Sequence, residues 1–231
     1  MFIDLTNSSA DEVAANLIGK FLVRRVGGKT RAYMIVETEA YVGPHDKASH
    51  SYGGRRTKRN DVMYGPPGHW YVYFTYGMHH MLNLVTGPAG YPSAVLIRGV
   101  IEIPYANVLK NISIRSGASR RKRKVNLIGP VPLEKSRPKV TEALLSAGRS
   151  LTGPGRVTKA LRIDKRLNGK PVGRSSGLWI EDRPADAKAF AGKGFKIIRT
   201  PRIGIGYAEE WKDKPLRFVI KPGFILTTAK R

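Results

Sequence analysis

Cysteine is absent from all 231 residues, which removes disulfide frameworks, thiolate nucleophiles, Cys-ligated zinc and iron–sulfur clusters from consideration. Acidic residues are scarce: 17 Asp and Glu stand against 41 Lys and Arg, a formal net charge of +24. So large an excess of one sign repels itself, and a polyanionic partner is the natural account, nucleic acid ahead of an anionic membrane surface. No apolar run is long enough to span a bilayer, and no long amphipathic basic helix stands out. The opening MFIDLTNSSADEVAANLIG has neither a basic leader nor an apolar export segment, so an intracellular location is expected, cytoplasmic in a bacterium or nuclear in a eukaryote. Ser- or Pro-rich linkers and internal repeats are missing too. With 41% hydrophobic residues the chain can build one substantial core, and residues 1–231 are read as a single domain.

What is present has clear punctuation. Ser8 or Ser9 can cap a helix that ends at Gly19, with Val13, Leu17 and Ile18 as its apolar stripe. FLVRRV and RAYMIVETEAYV read as two strands around a Gly27–Gly28 turn. Residues 43–69 are loop-like, and so long a loop inside a compact domain is functional or poorly ordered. WYVYFTYGMHHMLNLVT reads as two strands turning at Tyr76-Gly77-Met78, with Trp70 and Phe74 as core aromatics. SAVLIRGVIEI is a central strand. Residues 104–150 change character: IRSGASRRKRKVN is a basic run, read as a solvated, variable or mobile surface segment or as a contact to phosphates, and RPKVTEALLSAGRSL is helical in pattern. GPGRVTKALRID reads as a turn and short helix, while GLWIED, FKIIRTPRIGIGYA and PLRFVI supply further strands. The glycines of RIGIG are not a dinucleotide fingerprint; they would let the backbone approach a neighbour or a ligand closely.

The chemically unusual stretch is IVETEAYVGPHDKASHS, residues 35–51. On a strand, Glu37, Glu39 and Tyr41 share one face. Burying such an acidic row is costly without a partner. Three explanations compete. The glutamates are bridged by Arg24 or Arg31 across the hairpin; one of them is a general base holding a water; or Glu37, Glu39, Asp46 and His50 bind a divalent cation. Adjacent His79 and His80 point to opposite faces and cannot share a metal. A bulky Tyr76 at a hairpin apex is hard to explain as core and suits a wedge between base pairs.

VETEAYVGPHDKASHSYGGRRTKRNDVMYGPPGHWYVYFTYGMHHMLN, with AVLIRG, GPGRVTKALRI and RIGIGYAEEWKDKPLRF downstream, resembles the alkyladenine (3-methyladenine) DNA glycosylases of base-excision repair. The resemblance covers residues 13–102 and, in pieces, 152–219; Trp70 departs from the smaller residue expected there. It implies hydrolysis by water at the anomeric carbon without cofactor, metal or Schiff-base lysine, leaving an abasic site. By the same resemblance Glu39 is the catalytic glutamate and Glu37 structural. Tyr41 and Tyr73 sandwich the base, His50 closes the pocket, and Asn83 excludes guanine's exocyclic amine. The Arg98 side chain and the Ile203 carbonyl hold the water, and Tyr76 with Met78 intercalates. Basic residues within the matching blocks, Arg55, Arg59, Arg156 and Lys159, are expected at backbone phosphates.

The expectation is therefore a mixed α/β (α+β) domain: a curved, largely antiparallel sheet, flanking helices, and a protruding DNA-inserting hairpin at residues 71–85. It would act as a monomer on double-stranded DNA containing damaged purines, alkylated or deaminated. Two rivals remain: a noncatalytic basic nucleic-acid binder, and a metal-dependent nuclease.

Overall fold

The computed structural model describes residues 3–105, 148–182 and 196–220. Ser9 caps helix α1 (Ala10–Leu17): its hydroxyl accepts from the Glu12 amide, and the Glu12 carboxylate accepts from the Ser9 amide in return. Strands β1 (Phe21–Val26) and β2 (Lys29–Tyr41) meet at Gly27 and Gly28, whose φ of 57° and 71° give the turn that matches strand twist.

The antiparallel pair of β2 and β5 (Ser93–Ile103) is the spine of the sheet. Each of these long strands has its other edge divided between two shorter partners. β1 and β9 (Arg217–Ile220) share the edge of β2, while β4 (His79–Thr86) and β6 (Arg149–Thr152) share that of β5. Outside them lie β3 (Trp70–Thr75) on β4, β7 (Leu178–Glu181) on β1 and β8 (Ile197–Thr200) on β9. Among the described residues this makes nine strands in one curled antiparallel sheet, a half-barrel.

Where the partners change over, the β2–β5 register slips on both sides of Glu37, and Val36 and Arg98 fall out of the pairing. Bulges of this kind re-aim side chains next to functional sites. Gly99 makes the arrangement possible, because a Cβ there would lie 2.9 Å from the Cβ of Glu37.

One face of the sheet carries the main core. Trp70, Val72, Leu82, Leu84, Val95 and Ile97 pack with Val13 and Leu17 of α1 and with Val157 of α2 (Pro154–Ala160). Thr38 points into this side and donates to the Ala14 carbonyl at 2.9 Å. Trp70, the departure from the family pattern, is wholly buried, and its indole N–H donates to the Leu178 carbonyl at 3.1 Å. The opposite face, with Glu39, Tyr73, Asn83 and Arg98, is free to form a site.

Three local expectations change. Phe74 is not core but half exposed: it shares a face with Trp70 and Val72, yet lies one residue from the end of β3 beside the hairpin turn, where its ring meets His80. Arg149–Thr152 is a strand rather than the end of a helix, because pairing with Gly99–Glu102 completes the edge of β5. Residues 201–208 form turns rather than strand. At the RIGIG glycines a Cβ would meet no protein atom at Gly204 or Gly206, and Gly204, with φ 80°, lines the pocket. Residues 43–69 are well built, with short 3-10 turns at Tyr52–Gly54 and Asp61–Tyr64 and buried Asp46, Ser51 and Asn60. The basic run IRSGASRRKRKVN and most of RPKVTEALLSAGRSL lie outside the described residues.

Candidate active site

Glu39 has no exposed surface. One carboxylate oxygen accepts from the Ile203 amide at 2.8 Å, and the other from the Tyr41 hydroxyl at 3.1 Å. Arg98, freed by the bulge, lies with Nε 3.4 Å from Glu39 Oε1 and 3.1 Å from Glu37 Oε1. Glu37 Oε1 also accepts from Arg217 Nε at 2.6 Å. The acidic row is thus two carboxylates neutralised by two arginines from β5 and β9. Arg24 and Arg31, the cross-hairpin candidates, are occupied elsewhere: Arg24 donates to the carbonyls of Leu161, Gly177 and Arg162, and Arg31 pairs with Glu102. Burial pushes the Glu39 pKa up; Arg98, the Ile203 amide and the Tyr41 hydroxyl pull it back in part. The result is a more basic carboxylate than an exposed one, held in a single orientation.

Beside Glu39 opens a pocket of about 250 Å³, lined by Tyr41, His50, Tyr71, Tyr73, Asn83 and Arg98 among others. His50 Nδ1 is 2.8 Å from the Tyr71 hydroxyl, and its ring meets Tyr73 edge-on with centroids 4.6 Å apart. Burial, then the nearby Arg59 and Arg55, pushes the His50 pKa down to about 4, so the imidazole is neutral at pH 7. Burial also raises the Tyr73 hydroxyl to about 12 and the Tyr41 and Tyr71 hydroxyls in the same direction. The walls are therefore neutral aromatic faces. Asn83 Nδ2 donates to the Tyr71 carbonyl at 3.1 Å, which fixes the amide in the wall.

The rim is aromatic and basic. Tyr76 is 80% exposed at the hairpin turn with φ 51°, Met78 is exposed beside it, and Tyr76 and Tyr207 both line the pocket mouth. Arg59 is exposed, yet its guanidinium lies 4.8 Å over the Tyr73 ring and donates to the Phe74 carbonyl, so it braces the wall. Arg55, Arg156 and Lys159 are exposed and in no ion pair among the described residues. Ile203 reaches Glu39 through its N–H; the side chain lines the mouth. The four residues weighed as metal ligands do not converge: Glu37 and Glu39 are held by Arg98, Asp46 by Arg202, and His50 by Tyr71.

Sequence reasoning missed Tyr71 as a wall, Arg217 as the second cation, and Tyr207 at the mouth. Tyr71 had a signal, since it shares a strand face with Tyr73. Arg217 had none, because its approach to Glu37 depends on β9 docking beside β2.

A buried carboxylate fixed by Arg98, Tyr41 and the Ile203 amide thus lies beside an aromatic pocket in a strongly basic chain. The family model described as methylpurine-DNA glycosylase (MPG) matches residues 4–223, and the chain belongs to that family. It is a DNA glycosylase of alkylated purines, a hydrolase of N-glycosyl bonds. A protein of Bacillus cereus is 40% identical over 211 residues, 91% of this chain and 90% of its own length. One from Bacillus cytotoxicus is 38% identical over 208 residues, covering 90% and 89% respectively. Both carry the name "Putative 3-methyladenine DNA glycosylase". Among the described residues no helix is long and apolar enough to cross a membrane.

Proposed function

We propose that this glycosylase turns an alkylated or deaminated purine out of duplex DNA into the pocket beside Glu39 and releases it with an activated water. The observation that carries the reading is the fully buried Glu39, raised in pKa and oriented by three donors, next to a pocket walled by neutral aromatics. Water enters between Arg98 and Ile203 and gives its proton to Glu39 while its oxygen bonds to C1′. The glycosidic C–N bond breaks, its electron pair leaves with the base, and an abasic site remains. The sugar passes through an oxocarbenium-like state, which the carboxylate stabilises. An N-alkylated purine is cationic, so the departing electron pair neutralises its own charge and no protein acid is required for that lesion.

Tyr41 and Tyr73 sandwich the flipped base, and their faces favour a cationic purine by about 0.5–2 kcal/mol. That is modest, so selectivity also draws on the lesion's weak glycosidic bond and easy extrusion. Asn83 crowds the exocyclic amine of guanine, and His50 closes the pocket. The β3–β4 hairpin enters the minor groove with Tyr76 and Met78 filling the gap left by the base. Arg55, Arg59, Arg156 and Lys159 hold backbone phosphates.

The test is a duplex carrying one defined lesion, incubated with protein and chelator, with the freed base quantified. Wild type releases base, and Glu39→Gln slows release by about a hundredfold or more while DNA binding persists. Full activity of Glu39→Gln removes the proposed base. Binding without release by the wild type favours the noncatalytic reading, and chelator-sensitive strand scission favours a nuclease.

A further inference from the structure

Arg202 and Asp46 form an ion pair in which neither side chain has any exposure. Asp46 accepts from Arg202 Nη1 at 2.6 Å and from Nη2 at 2.8 Å, and Nη1 donates again to the Ala40 carbonyl at 2.8 Å. The same carboxylate accepts from the amides of Val42 and Ala48. The guanidinium lies 4.8 Å over the Tyr41 ring, and its Nε has no hydrogen-bond partner among the described residues. As a source of stability such a pair is poor, because desolvating two ions offsets their attraction and the unpaired N–H adds to the cost.

Its location gives it another use. Ile203 follows Arg202 directly, and the Ile203 amide holds one oxygen of Glu39; Tyr41, under the guanidinium, holds the other. We propose that Arg202–Asp46 is the positioning pair of the site, fixing the Glu39 carboxylate through the Ile203 amide and the Tyr41 ring. The inference rests on the reading of Glu39 as the base that activates water. Arg202 lies on the Tyr41 ring and directly precedes Ile203 in the chain, so the pair acts through these two intermediaries.

A pH signature follows. Glu39 is faced by Glu37 and Tyr41 of β2, Arg98 of β5, Tyr73 of β3 and the Ile203 amide, with Arg217 of β9 one step away on Glu37. Donors to the ionised carboxylate lower its pKa. Loosening Ile203 and Tyr41 removes two of them while Arg98 and Glu37 stay, so the pKa of Glu39 rises and the acid limb of the rate profile moves to higher pH.

The experiment compares the full-length wild type with Arg202→Lys, which keeps the charge but not the fork, and Asp46→Asn, which keeps the shape but not the charge. Single-turnover release of hypoxanthine from a duplex is followed across pH, together with binding to the same duplex and thermal melting. The expected result is a rate lower by roughly tenfold to a hundredfold, as for a misplaced catalytic group, with lesion-DNA affinity kept and the acid limb shifted upward. If one variant does not fold, the other decides. Wild-type rate and limb in a folded variant overturn the positioning role, as does a loss confined to binding with the limb unmoved. If the wild type itself releases no hypoxanthine and no alkylated base, the reading of Glu39 falls and the pair's role with it; wild-type release with unaltered variants sinks the pair alone.

Discussion

Glu39 and His50 occupy the same site and are shifted in opposite directions by the same cause. Burial disfavours charge, so it raises the carboxylate and lowers the imidazole. For Glu39 the consequence is kinetic: the acid limb of base release by the wild type is expected above the ordinary glutamate value, read from single-turnover rates between acid and neutral pH. A limb at or below that value removes Glu39 as the titrating base. For His50 the consequence is stability. The unfolded chain takes up its proton near the ordinary value of 6.5, whereas the folded chain waits until about 4. The contribution of neutral His50 is therefore complete above pH 6.5 and is lost as pH falls towards 4. Urea melts of wild type and His50→Gln across this window should show a shallower loss in the variant; parallel curves would mean the imidazole is not the group responsible.

The decisive elements are the β3–β4 hairpin and the β2–β5 bulge. Tyr76 adopts φ 51°, a left-handed conformation that costs a non-glycine residue about 1–2 kcal/mol. A turn selected for stability would place glycine there, as it does at the next position, Gly77. Tyr76→Gly is therefore expected to melt no lower than the wild type while capturing a lesion-bearing duplex less well. Equal capture would count against the wedge. Both strands of this hairpin were legible as an aromatic, β-branched run broken by Tyr-Gly-Met. The bulge was not: nothing in VETEAY or AVLIRG announces a register slip, since it arises where β9 replaces β1 along β2 and β6 replaces β4 along β5. Without it Arg98 would pair in register instead of turning between Glu37 and Glu39.

At the scale of the whole molecule the net charge of +24 sets the encounter with DNA. Each phosphate neutralised contributes about −0.9 to the slope of log affinity against log salt. Replacing Arg156 and Lys159 of α2 together with Ala is expected to flatten that slope by roughly 2, for damaged and undamaged duplex alike. Fluorescence anisotropy over a salt series reads it directly. An unchanged slope would place the DNA-binding face away from Arg156 and Lys159.

Local chemistry was determined by the chain itself. Alternation along β2 puts Glu37, Glu39 and Tyr41 on one face whatever surrounds them, Gly27–Gly28 turns the first hairpin, and the Ser9–Glu12 box starts α1, because each depends on neighbours a few residues away. The partners of the acidic row depended on residues far apart in sequence. Arg98, Arg217 and the Ile203 amide reach Glu37 and Glu39 only after β5, β9 and the 201–208 turns have docked around β2. Arg202 meets Asp46, with neither side chain exposed, only once two loops far apart in sequence are packed together. A sequence can reveal which groups carry chemistry; the low-dielectric enclosure that shifts and aims them comes from the assembled sheet.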